Sequence, residues 1–185
     1  MPVLSPVVLQ GSANHRDPSS KLIRLERPAQ DPDADAPREF KLKRDPSTKG
    51  SATYMLKIPL LKDPTCEEFL LFMRSVQEAW KGQALLDARD RAEFFKQLLG
   101  DAEKTTFSTA LPFDGTVSDA DLDRAILALK KSIFPQGAWG SQMQLMLKHS
   151  GMRKPSGWTV RQYAHRMQEI NNYLPEFPPK LDGEP

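Results

Sequence analysis

The sequence predicts an all-α fold: a compact bundle of about six amphipathic helices behind a disordered N-terminal arm. Two observations predict it. Between about residues 63 and 175, apolar side chains recur at steps of three and four, which places them on one side of a helix, and most of these runs open on Ser, Thr or Asp and close on Gly or Pro. Residues 1–52 show no such stripe and carry prolines at 2, 6, 18, 28, 32, 37 and 46. The boundaries that follow are a Pro-rich disordered arm over 1–52, a helical domain over 53–179 and a tail over 180–185.

The arm has few aromatics and mixed charge, so it buries too little apolar surface to offset the entropy of ordering. Lys41, Lys43 and Arg44 form a small basic cluster in it, read as part of a solvated tail. Tyr54 to Leu61 alternates loosely and contains Pro59, which suits an extended lead-in or edge strand. Asp63-Pro64 then opens the first helix, with Glu67 and Glu68 near the positive end of its dipole and Phe69, Phe72, Met73, Val76 and Trp80 as its stripe. Gly82 has the character of a residue just past a helix end.

A second helix is expected over about Leu85–Leu99, with Leu85, Ala88, Ala92, Phe95 and Leu99 inward and Gly100 closing it. A short third helix runs from Asp101 to Leu111, stopped by Pro112. After the turn at Phe113–Thr116, Ser118 caps a fourth helix whose stripe is Leu122, Ile126, Leu129 and Ile133. A fifth, about Ala138–Ser150, presents Trp139, Met143, Met146 and Leu147 and ends at Gly151. The sixth has the cleanest face. Val160, Tyr163, Met167, Ile170 and Leu174 share one side, Thr159 and Gln162 form a capping box, and Pro175, Pro178 and Pro179 end it. Trp80, Phe95, Leu129, Met167 and Ile170 are the expected core.

A chain of 185 residues suits one domain plus extra segments. The single Cys66 excludes a disulfide framework within one chain and a zinc knuckle within this span, and fits a reducing compartment. No run of eighteen apolar residues is present, so no transmembrane helix is expected. No basic region precedes the short apolar run at the N-terminus, which argues against a signal peptide.

Charge is unevenly placed. Lys62 to Asp123 holds thirteen Asp/Glu against seven Lys/Arg, a net of −6, whereas Arg124 to Gln168 holds eight Lys/Arg and no acid. The plain reading is attraction between two halves of one domain, or simple solvation. The sharper one is head-to-tail self-association or a basic face for nucleic acid, with Lys130, Lys131, Arg153, Lys154, Arg161 and Arg166 as the assembly or RNA-facing residues.

Catalytic patterns are scarce. His15, His149 and His165 are far apart and none has a ligand at i, i+4, and neither a GxGxxG nor a P-loop is present. Asp114-Gly115-Thr116 has the residue types of an aspartic-protease triplet in the wrong order. Cys66 falls in the first turn of a helix without a histidine nearby, and reads as a small core residue. The expectation is a binding or structural protein without catalytic residues, metal, cofactor or small-molecule substrate.

Lys57-Ile58-Pro59 followed by Asp63 to Trp80 resembles the opening of the Gag capsid region of LTR retrotransposons, an extended lead-in and then x-E-E-F/W-L-x-F on a helix. Leu98-Leu99-Gly100-Asp101-Ala102 with Phe107 is similar to that region's L-x-G-x-A…W/F segment. Ile133-Phe134-Pro135, Arg153-Lys154-Pro155 and Thr159 to Pro179 resemble its later part, V-R-x-F/Y…R-x-x-E-x-N-x-Y-L…F-P-P. The resemblance spans most of 55–179. It implies a helical capsid domain, comparable to the N-terminal capsid half, that assembles with copies of itself into a cytoplasmic virus-like particle enclosing element RNA. The zinc knuckle that often follows such capsids is absent from these residues, and the second, smaller capsid domain is not seen before Pro185. The alternative is a host-domesticated or unrelated helical interaction module that binds a partner in a groove without polymerising.

Overall fold

The structure, a computed structural model, describes residues 18–27, 35–113, 115–148 and 152–178. Its body begins with a strand that the helical periodicity did not anticipate. β1 (Arg38–Lys43) pairs antiparallel with β2 (Thr53–Ile58), in a register that sets Glu39 opposite Lys57 and Leu42 opposite Tyr54. Alternation along β1 turns Phe40 and Leu42 inward and Lys41 and Lys43 outward. Lys41 and Lys43 of the basic cluster read as tail are therefore on the solvent face of a strand, and Arg44 follows it. Lys57 and Glu39 form the cross-strand ion pair at 2.8 Å. At the turn, the Asp45 carboxylate accepts from Ser47 N–H, Ser47 Oγ and Thr48 Oγ1.

Six α-helices follow among the described residues: α1 (Cys66–Gly82), α2 (Ala88–Lys96), α3 (Asp101–Thr109), α4 (Asp119–Ile133), α5 (Ala138–Leu147) and α6 (Val160–Tyr173). The fold is thus helix-rich with a small two-stranded sheet, which corrects the all-α expectation. The hairpin lies on α1, where Leu42 meets Gly82 so closely that a Cβ there would sit 3.0 Å from the leucine Cβ. Gly82 serves this approach and not a left-handed cap. The left-handed position belongs to Ala84, at φ 54°.

Capping decides the other departures at helix starts. α1 starts two residues later than Asp63-Pro64 suggested, because Thr65 and Glu68 make a reciprocal capping box. α2 starts at Asp87, whose carboxylate accepts from Arg89 N–H at 2.7 Å, and not near Leu85. Ser118 with Asp121, and Thr159 with Gln162, cap α4 and α6 as expected. α5 ends at Leu147, short of the expected Ser150, and Ser150 and Gly151 lie outside the described residues.

The core is aromatic. Phe95 meets Phe72 at 5.6 Å and Phe107 at 4.8 Å between ring centroids, and Phe134 meets Phe69 at 6.0 Å and Phe177 at 5.0 Å. Phe95, Leu129 and Ile170 are fully buried, while Trp80 and Met167 are only partly so. On α6 the buried side chains are Arg166, Ile170 and Tyr173, so the inward face is turned away from Val160, which is exposed. A short 3-10 turn, Leu174–Glu176, then brings Phe177 back into the core.

The arm expectation also needs correction. Residues 18–27 pack onto the body with Leu22, Ile23 and Leu25 buried, and β1 lies within the same span. Average composition concealed local apolar groups that the body shelters. Residues 1–17, 28–34 and 179–185 are outside the described residues.

Candidate interaction site

The arm segment 18–27 is held by side chains from three helices, and two of them, Gln142 and Arg166, grip its backbone. Gln142 is fully buried on α5. Its Oε1 accepts from Ile23 N–H and its Nε2 donates to Ile23 C=O, both at 2.9 Å. The amide thus satisfies both backbone groups of one residue, as a neighbouring strand would.

Arg166 on α6 does more. Its Nε donates to Leu25 C=O at 3.1 Å and its Nη2 to Arg24 C=O at 2.7 Å. Both Nη atoms donate to the two Glu67 carboxylate oxygens at 2.6 Å, and Nη1 also donates to Glu169 at 2.8 Å. All five guanidinium N–H groups therefore have an acceptor, the condition under which a buried arginine is tolerated. Burial works against the charge, and the hydrogen bonds it donates to Glu67 and Glu169 outweigh that, so the Arg166 pKa is raised. At Glu169 burial again opposes, and Arg166 and Arg27 prevail, holding its carboxyl below the usual value.

Charge completes the groove. Arg27 donates to Glu67 at 3.1 Å and pairs with Glu169, and Lys21 Nζ donates to Pro64 C=O at 3.0 Å and pairs with Asp63. A basic strip of chain lies between acidic residues of α1 and α6. Glu67 also sits in the first turn of α1, where the helix dipole favours an anion.

This placement takes Arg166 out of the assembly or RNA-facing set, because its charge is spent inside the molecule. The other five expected residues are divided between two places. Lys130 and Lys131 are in the last turn of α4, where Lys131 is exposed and Lys130 is partly buried with its ammonium 5.7 Å from the Phe134 ring centroid. Burial lowers the Lys130 pKa, with Glu176 opposing. Arg153, Lys154 and Arg161 are exposed on the α5–α6 connection and the start of α6. Lys154 Nζ donates to Trp158 C=O at 2.7 Å and Pro155 C=O at 3.1 Å, which fixes the loop.

Sequence reading missed Gln142, Glu67 and residues 21–27. The signal was present as Leu22, Ile23 and Leu25 among Lys21, Arg24 and Arg27, a short apolar run in a polar arm. On α5 the apolar residues drew the inward face to the wrong side, since Trp139 and Leu147 are exposed.

The Cys66 thiol is buried and pushed up to about 12, which suppresses thiolate formation. His165 is exposed on α6, and His15, His149 and Asp114 lie outside the described residues. Among the described residues no group of His, Cys, Asp and Glu is placed to hold a metal ion, and no helix is long and apolar enough to cross a membrane. A cleft of about 520 Å³ opens beside Trp80, Leu85, Leu86 and Arg91, and Trp80 Nε1 is buried without a hydrogen-bond partner. No family model, curated protein or solved structure matches the chain.

Proposed function

We propose that this chain is a structural protein of the Gag capsid kind, which associates with copies of itself into a particle around RNA. The observation that supports this most is the surface of the α5–α6 connection. Arg153, Lys154 and Arg161 are exposed there and, among the described residues, none is ion-paired. Leu147 and Val160, at either end of the same connection, are 77% and 73% exposed. Apolar side chains rimmed by charge are the ordinary make-up of an interaction surface.

Its complement is carried by the same chain. Asp90 on α2, Asp101 on α3 and Asp123 on α4 are exposed carboxylates. Contact between a basic patch and a different, acidic patch on the next copy is heterologous, and such contacts close into rings or extend into lattices. The basic connection also suits phosphate, whose neutralisation supplies most of the non-specific affinity for nucleic acid.

Electron microscopy of the purified full chain at high concentration, with and without RNA, tests the proposal. Rings, tubes or closed particles are expected. Monomers under both conditions overturn it in favour of an interaction module that does not polymerise.

A further inference from the structure

We infer that the groove between α1, α5 and α6 is a peptide site that residues 18–27 fill within one chain, and that the same segment of a second copy fills it during assembly. The inference rests on the self-association proposed above and names one of its contacts.

Four observations carry it. Recognition is of main chain: Gln142 takes the N–H and C=O of Ile23, and Arg166 takes the C=O of Arg24 and Leu25. Both receiving side chains are buried with the segment in place, and its withdrawal would break both hydrogen bonds of the Gln142 amide and two of the Arg166 guanidinium. The segment of the same chain or of a second copy restores these bonds equally. The charges also match, with Lys21 and Arg27 of the segment set against Asp63, Glu67 and Glu169.

The fourth observation is the tether. Eight peptide steps join Arg27 to Asp35, a reach of at most about 28 Å. A segment docked through its own contacts and joined by so short a tether has the requirements for exchange between copies, because the exchanged state keeps every groove contact. What opposes exchange is effective concentration, which for short linkers is on the order of millimolar. Exchange therefore belongs to crowded conditions such as a forming particle. If each copy gives its segment to the next, the contact is head-to-tail and propagates.

The test uses the full chain and keeps the groove intact. Arg24 is exposed and its side chain makes one long hydrogen bond, to Ser19 C=O at 3.4 Å. Arg24→Cys can carry a spin label, since the only native thiol, Cys66, is buried and protonated at neutral pH. Spin-labelled chains of natural isotope abundance are mixed with ¹⁵N-labelled wild type. Broadening of α5 and α6 amides near Gln142 and Arg166 in the ¹⁵N chain is expected, rising with concentration and lost when the ¹⁵N chain carries Gln142→Ala.

Absence of that broadening up to about 1 mM, where exchange should compete, overturns the inference. Sedimentation of the same samples separates the two ideas. Assembly without broadening means that copies meet through another surface and exchange is wrong. Broadening that saturates in closed dimers supports exchange and counts against a polymerising capsid. Circular dichroism of Gln142→Ala shows whether its fold survives. If it does not, Arg27→Glu on the spin-labelled chain replaces it, and loss of broadening is again the supporting result.

Discussion

Glu67 and Arg166 meet with side chains 7% and 6% exposed, so neither charge is held by water. Removing one partner from such a pair costs roughly 3–5 kcal/mol, mostly because the other is left buried. Here Glu169 still accepts from Arg166 when Glu67 is lost, which moderates the penalty. Glu67→Ala should therefore destabilise by about 3 kcal/mol, read as a lower urea midpoint, and Glu67→Gln by less. A cost under about 1 kcal/mol, the level of a surface pair, would mean that water reaches the pair. A second residue-scale expectation concerns Ala84, whose φ of 54° strains any side chain. Ala84→Gly should stabilise by about 0.5 kcal/mol, the relief of strain being partly offset by a looser unfolded chain. A thermal melt that moves down would exclude strain at this position.

Among the elements, α6 was the most legible and also the most instructive. Its capping box and its proline stop stand where the residues put them, because both are local chemistry. Ile170 is fully buried, and Ile170→Ala should cost about 2–5 kcal/mol by chemical denaturation. The rotation of its buried face toward Arg166 was not legible. An arginine becomes an inward residue only when a carboxylate from another helix and two carbonyls from a distant segment converge on it. The same holds for β1 and for Gln142, whose partners are far away in sequence. Periodicity reports what a segment wants to bury, and cannot report a polar group that a neighbour satisfies. The arm groove, as an element, should also respond to acid. The Glu169 pKa lies below the ordinary 4.5, so its contribution is complete above that value and is lost as pH falls through the lower folded value. The protection of Ile23 N–H, taken relative to the exchange rate of an unstructured amide at the same pH, should fall in that range, and Glu169→Gln should flatten the response. An acid response of Ile23 protection that Glu169→Gln leaves unchanged would show that Glu169 does not hold the segment.

For the whole molecule, the uneven charge is partly consumed internally and partly left over. Arg166 with Glu67 joins the basic half to the acidic half inside one chain, and Arg91 with Asp119 pairs within the acidic half. The remainder includes Arg153, Lys154 and Arg161, with Lys131 on a separate helix. Exposed pairs formed by this remainder between copies contribute only about 0–1 kcal/mol each and are screened over about 10 Å at 0.1 M salt. Buried contacts of the arm groove are screened far less, and contacts of Leu147 and Val160 strengthen in sulfate. Assembly through the α5–α6 connection should therefore weaken as sodium chloride rises and recover in ammonium sulfate. Reversing the patch with Arg153→Glu and Lys154→Glu should shift the wild-type sedimentation profile toward monomer at low salt, with only a small loss of thermal stability, since both side chains are exposed and only the two Lys154 hydrogen bonds to loop carbonyls are lost. A variant that sediments like wild type at every salt concentration would remove the connection from the assembly contact. Should the same variant lose only its retention of RNA, the basic connection faces nucleic acid, and copies of the chain meet through the arm groove or another surface.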